Sequence, residues 1–329
     1  MIPYIYVPDL KLGPVTLHPF GLLVATGVII GTWLATKRAR ERSLDLDKLN
    51  SFITWMLVSG FVLSHMLDQV FYHWPEVVKR PWSVLEIWTG LSSFGGFIGG
   101  LIGVILWKYF EAIPLVRTPF FTLSSFRIRP TPMPIMPFCD LILSVFPVAW
   151  VFGRSGCSVV HDHQGIKAPA GSLLAVAFGP ADPARTIHLG PIEFRHGSTP
   201  HFDLGLLEMM FTVIVAVLFA LTWKRKLTTG SYIAAVCIAY APVRFAMDFL
   251  RVRDVDNADP RYGAFTPAQW AAIGMLAFGL VMVARVRQIR KSGRDPLDLL
   301  ARAVVSPVDN VDVPIEPESP GSSGAASPP

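Results

Sequence analysis

Gly153-Arg154-Ser155-Gly156-Cys157-Ser158-Val159-Val160-His161-Asp162-His163-Gln164-Gly165 starts in the last turn of an apolar run, 138–156, and ends in a polar loop. A run of that length and composition reads as a helix crossing a bilayer. Arg154 then stands at the rim of the hydrocarbon, where a cation is costly without an anionic partner, and this makes it a functional candidate. Gly153 and Gly156 remove side chains on either side of it, so a bulky ligand or a neighbouring helix can approach the backbone. His161, Asp162 and His163 follow within ten residues. The plainer alternative is a helix cap with one snorkelling arginine and a solvated loop.

The rest of the chain supports a membrane setting. Of 329 residues 52% are apolar and only 16% charged, and the mean hydropathy is positive. That balance excludes an ordinary soluble domain and fits a polytopic membrane protein. Seven apolar stretches of roughly 17–22 residues are long enough to cross as helices. They cover residues 18–36, 49–72, 92–110, 138–156, 202–223, 230–250 and 267–284. No cleavable signal peptide is expected, because a basic run and not a small-residue cleavage site follows the first stretch.

Charge placement gives an orientation. Lys37, Arg38, Arg40 and Arg42 follow the first stretch, and Lys108, Arg117, Arg127 and Arg129 follow the third. Lys224, Arg225 and Lys226 follow the fifth, and Arg285, Arg287, Arg290, Lys291 and Arg294 the seventh. The positive-inside rule then puts the N-terminus outside and the C-terminus in the cytoplasm. The basic clusters read as topology signals and contacts with anionic membrane lipids; nucleic acid is not an expected partner. Three cysteines lie in or beside these stretches, and Cys139 and Cys157 are about 27 Å apart along one helix, so no disulfide framework is expected.

The architecture expected is an all-α integral membrane protein of seven helices, residues 1–292, with a disordered cytoplasmic tail over 293–329. Residues 1–17 lie on the outer surface, 111–137 form a proline-rich cytoplasmic loop, and 157–201 form a small loop-rich cap over the outer face. Within this frame, polar groups gather at one depth. His65 and Asp68 sit one turn apart and face each other or a cavity. Gly95 and Gly96 open a glycine-rich helix whose GxxxG steps serve close packing or, at the outer end, admit a lipid headgroup. Arg244, Asp248 and Arg251 share a helical face on which the aspartate braces both arginines. With Arg154 these positions fall at the outer ends of four helices, and arginines so placed point to a phosphate, most simply that of a phospholipid.

Over about residues 11–290 the chain resembles the bacterial prolipoprotein diacylglyceryl transferases. His18-Pro19-Phe20-Gly21 resembles the start of that family's first span, Phe94-Gly95-Gly96 its His-Gly-Gly element, and Gly153-Arg154-Ser155-Gly156 through Gly165 its signature. Arg244-Phe245 through Asp248-Phe249-Leu250-Arg251 resembles its Arg-Phe…Glu-Phe-x-Arg element.

The resemblance implies transfer of the diacylglyceryl group of phosphatidylglycerol to the lipobox cysteine of a prolipoprotein, with signal-peptide-bearing precursors as partners. It implies a multi-pass protein of the bacterial inner membrane, a site toward the periplasm, a monomer, and neither cofactor nor metal. Arg154 and Arg244 would face the phosphate, with Arg251, Asp248, Gly95, Gly96 and His18 completing the lipid site.

Departures fall on the proton chemistry: Phe94 replaces the usual histidine, Cys157 an asparagine, and Val160-His161-Asp162 the usual Asn-Gly-Glu. His161 or His163 is then the expected base, with His65 beside Asp68 as the alternative. Other readings are a relative that binds phospholipid or precursors without transfer, a transporter, and a metal site from His161, His163 and a carboxylate such as Asp162 or Asp182.

Overall fold

Most of the long helices begin where a side chain can take up their free N–H groups, and α1 and α5 carry a proline at their start. Pro19 opens α1 (Pro19–Glu41) at a position that needs no amide hydrogen. Asp45 caps α2 (Leu46–Tyr72), accepting from the amides of Asp47 and Lys48. A short α3 (Trp74–Lys79) follows, and Ser92 caps α4 (Ser93–Tyr109). α5 (Met136–Val160) carries Pro147 internally. Asp203 caps α6 (Leu204–Leu221), and Thr266 caps α8 (Pro267–Ser292) in a reciprocal box with Gln269. α7 (Ser231–Met247) has no cap of its own; Asp140 of α5 supplies one, accepting from the amides of Tyr232 at 2.8 Å and Ile233 at 3.0 Å.

This computed structural model describes residues 1–13, 15–86, 90–117, 122–169, 171–182, 185–252 and 261–305. Among them, α1, α2, α5, α6, α7 with the turn after it, and α8 are long and apolar enough to cross a membrane, and α4 is a shorter apolar helix of 17 residues. The protein is thus a mostly helical, multi-pass membrane chain.

Glycines set the helix pairs. A Cβ on Gly95, Gly99 or Gly103 would lie within 2.7 Å of an α2 oxygen, so α2 and α4 meet backbone to backbone. Gly27 and Gly31 let α1 approach Ala149 of α5 in the same way. Toward the other end the helices enclose Phe52, Trp107, Phe138, Leu49 and Ala39, all at or below 1% exposure. Arg38, also buried there, donates to the hydroxyl of Tyr232 at 2.6 Å and ties α1 to α7.

Three expected loops are β structure. The segment after α5 forms β6 (Gln164–Lys167), β7 (Ala175–Ala181), β8 (Ile187–Leu189), β9 (Ile192–Arg195) and β10 (Gly197–Asp203). They make two three-stranded sheets, and the N-terminal β1 (Tyr4–Tyr6) joins one of them in the order β1-β9-β8; the other is β6-β10-β7. The cap is therefore sheet, not loop, and the N-terminus is an edge strand of it. Its strands are three to seven residues long and its central one contains Pro200, so neither length nor alternation marked it. β2 (Leu10–Leu12) and β3 (Val15–Leu17) form a hairpin before α1.

Between α4 and α5, β4 (Phe110–Arg117) and β5 (Thr122–Ile128) form another hairpin, its register shifting at Pro114. In place of the disordered tail expected from residue 293, Pro296–Val305 forms α9, and Leu297 and Leu300 pack on the helical core. The remainder of that tail, 306–329, lies outside the described residues.

Candidate active site

The last turns of α5 place Trp150, Arg154 and Cys157 along one face. Arg154 is buried, and its Nε lies 2.9 Å from Glu208 Oε1 on α6. The N–H does not point along that line, so the contact is a pairing of charges more than a hydrogen bond. The guanidinium stacks 4.7 Å above the Trp150 ring, and its Nη1 donates to Cys157 Sγ at 3.7 Å. Glu208 Oε1 also accepts from the Tyr240 hydroxyl at 2.5 Å and Trp150 Nε1 at 3.3 Å. One buried carboxylate thus joins α5, α6 and α7.

Tyr240 carries the network onward. Arg244 lies one turn later on α7, and the Tyr240 hydroxyl is within electrostatic range of both Arg154 and Arg244. Arg244 Nη1 donates to Asp248 Oδ1 at 3.2 Å, and Arg251 Nε lies 3.1 Å from the same oxygen. The expected bracing of two arginines by one aspartate is what the structure contains. Asp248 is fully buried, and its other oxygen accepts from the Thr266 hydroxyl that caps α8. Gly165 of β6 forms an antiparallel bridge with Arg251, tying the cap to this group.

Glu208 was legible only by type: it is the one carboxylate in the otherwise apolar 204–221, and an ionisable group inside a span is a functional candidate by default. Tyr240 and Trp150 gave no such signal.

The two glycines beside Arg154 divide their roles. A Cβ at Gly156 would meet the Phe20 ring at 2.9 Å, so α1 closes that side; a Cβ at Gly153 would meet nothing within 4 Å. The flank at Gly153 is thus left open. Gly95 is packing surface against Leu63 and Ser64, whereas Gly96 meets only Ser64 at 3.8 Å and keeps its backbone accessible. Phe97, next to it, touches the Trp150 ring at a centroid distance of 5.4 Å, which brings α4 to the edge of the site. Phe94 is 58% exposed.

The histidines separate. His161 is held on both ring nitrogens, Nδ1 against Asp203 Oδ2 at 2.6 Å and Nε2 against the Ile5 carbonyl at 3.1 Å. Its ring stacks on Tyr4 at 3.8 Å. Burial holds the Tyr4 phenol above its ordinary pKa, so it packs there as a neutral hydroxyl at neutral pH. His161 thereby pins the N-terminal strand to α5, and both of its basic positions are taken.

His163 is half-buried, with Nδ1 against Asp162 Oδ1, and keeps part of its ring exposed. His65 is buried with its nitrogens 3.3 and 3.1 Å from the carbonyls of Gly90 and Val84, and Asp68 pairs with His73 at 3.2 Å. The expected His65–Asp68 pair is thus replaced by two separate contacts, because the segment after α3 folds back over α2. His18, just before α1, is exposed and pairs with Asp9 at 2.9 Å.

Arginines braced by buried carboxylates thus gather at one end of an apolar, membrane-spanning helix bundle. A family model described as prolipoprotein diacylglyceryl transferase matches residues 9–285, and the chain belongs to that family. Relatives named phosphatidylglycerol–prolipoprotein diacylglyceryl transferase are similar over most of their length. The one from Symbiobacterium thermophilum is 22% identical, over 84% of this chain and 90% of its own. That from Acinetobacter baylyi is 28% identical over 83% and 89%, and that from Allorhizobium ampelinum 25% over 89% and 94%.

Proposed function

We propose that this chain transfers the diacylglyceryl group of phosphatidylglycerol to the thiol of a lipobox cysteine in a prolipoprotein, forming a thioether and releasing glycerol-1-phosphate. One observation carries this reading: the guanidinium groups of Arg154, Arg244 and Arg251 gather at one end of the helix bundle, where Glu208 and Asp248 hold them. A phosphodiester is the anion that such a cluster of guanidinium groups suits. Arg244 and Arg251, both partly exposed, grip the phosphate. Arg154, held by Glu208 and Trp150 beside the open flank at Gly153, stabilises charge as the ester oxygen leaves. Gly96 gives the lipid backbone room at the edge of the site.

Seven helices cross the bacterial inner membrane in this reading, with the N-terminus and the sheet cap on the periplasmic side, where precursors emerge. The basic clusters at and after the C-terminal ends of α1, α4, α6 and α8 support that orientation. The acceptor sulfur must be deprotonated to attack. With both nitrogens of His161 engaged, thiol activation falls to the His163–Asp162 side of the loop.

Phe94 favours a second reading, in which the chain binds phospholipid or precursor and transfers nothing. Complementation of a strain depleted of its own transferase separates the two. The unaltered chain is expected to restore lipid modification of a reporter lipoprotein, and Arg154→Ala or Arg244→Ala to abolish it at unchanged membrane levels. No modification by the unaltered chain would establish binding without transfer.

A further inference from the structure

Beside the arginines lies a second group of reactive side chains that phosphate binding does not use. α5 ends at Val160, His161 adopts a left-handed conformation (φ 51°), and the chain turns back over the helix end. That turn brings Asp162 and His163 to Cys157: one ligand-capable atom from each lies within 4.8 Å of the other two. Cys157 is buried and forms no disulfide, His163 is half-buried and Asp162 exposed, so the group leads from the helix interior to the open face. The sulfur also receives a hydrogen bond from Arg154 at 3.7 Å.

We propose that Cys157, Asp162 and His163 hold a zinc ion whose free fourth position takes the sulfur of the acceptor cysteine. One thiolate, one imidazole and one carboxylate form a zinc donor set, and three protein ligands with an open position are the mark of a catalytic site. Tetrahedral zinc with these donors spaces them roughly 3.4–3.6 Å apart. Cys157 therefore has to draw in by about 1 Å, and the Asp162–His163 contact has to open to a similar spacing. Two anionic ligands neutralise the dication, so the loaded site adds no net charge beside Arg154.

The proposal rests on the transfer reading and supplies what Phe94 and the engaged His161 cannot. A thiol that binds zinc gives up its proton, here to water. Its sulfur lone pair then attacks the glycerol carbon bearing the phosphate ester. The C–S bond forms, the C–O bond breaks, and the electron pair leaves on the phosphate oxygen facing the arginines. The released proton is balanced on the phosphate product or in solvent, and the thioether, a weaker donor, leaves the metal.

Cobalt(II) tests this in the full chain purified in detergent. A thiolate-to-cobalt charge-transfer band in the near ultraviolet, with visible bands of a tetrahedral ion, is expected to saturate at about one cobalt per chain. Cys157→Ser is expected to abolish the charge-transfer band, and Asp162→Asn and His163→Gln each to weaken cobalt binding at least tenfold. Cys237→Ser, a buried cysteine on α7, is expected to leave the band intact. A lipobox peptide is expected to roughly double the band, and its serine counterpart to leave it unchanged.

Absence of the band in protein that elutes as a single folded species overturns the site, as does a band that survives Cys157→Ser. A band indifferent to the cysteine peptide overturns the thiol-binding role. None of these readings needs turnover, so an intact cobalt spectrum in a chain that fails complementation would overturn the transfer reading and not the metal site.

Discussion

Arg154 and the histidines after it show how far residue type alone can lead. A cation in an apolar run announces itself, and so did the spacing of Arg244, Asp248 and Arg251. Their partners did not: Glu208 pairs with Arg154 across 54 positions of sequence, and nothing local to either residue encodes the meeting. The histidines diverge for the same reason. His161 and His163 are two positions apart and alike in type, yet one fills a slot between Tyr4, Asp203 and the Ile5 carbonyl while the other stays open.

Their substitutions are therefore expected to differ in kind. His163→Gln should cut diacylglyceryl transfer by about a hundredfold, the scale of a lost activating group, with the melting temperature in detergent unchanged. His161→Gln should lower the melting temperature while sparing most of the activity of protein that stays folded. An assay in which His161→Gln alone abolishes turnover at full stability would reverse the two assignments.

At the scale of elements, the glycine-rich helix was read correctly in composition and only half resolved in use. Gly95, Gly99 and Gly103 form one face against α2, while Gly96 and Gly100 stand one position round and meet neighbours no closer than 3.7 Å. Spacing could not separate them, because both sets step by four. A Cβ at Gly99 would lie 2.4 Å from the Ser59 carbonyl oxygen, so Gly99→Ala should destabilise the protein by at least about 1 kcal/mol. Gly100→Ala, with open surroundings, should be neutral or mildly stabilising, since alanine is the better helix former. Paired melting curves in one detergent check this, and equal losses in both variants would place the α2 contact elsewhere. The cap strands escaped the reading for a different reason. β10 hides its alternation behind Pro200 and four polar residues, and β1 depends on a partner about 190 positions away.

Across the whole molecule, the hydropathy pattern and the order of motifs were the most legible features, because crossing a bilayer imposes a length and a composition on every span. The terminal sheets were not, since their stability comes from pairing between distant segments. The basic clusters predict an orientation that reporter fusions check: fusions after Lys226 and after Arg290 should read as cytoplasmic, and one inserted at Gly190 as periplasmic. A cytoplasmic signal at Gly190 would put the site on the wrong face for secreted precursors.

The bridge between Gly165 and Arg251 has a mechanical meaning. Gly165 has no room for a side chain, since a Cβ would lie 2.7 Å from the Leu250 carbonyl oxygen, so β6 and the end of the α7 segment are locked backbone to backbone. In the proposed reading, a precursor that pushes the cap aside would pull on the peptide unit of Arg251, one of the arginines assigned to the phosphate. Opening the door and loosening the grip would then be a single motion, with a lever between them one residue wide.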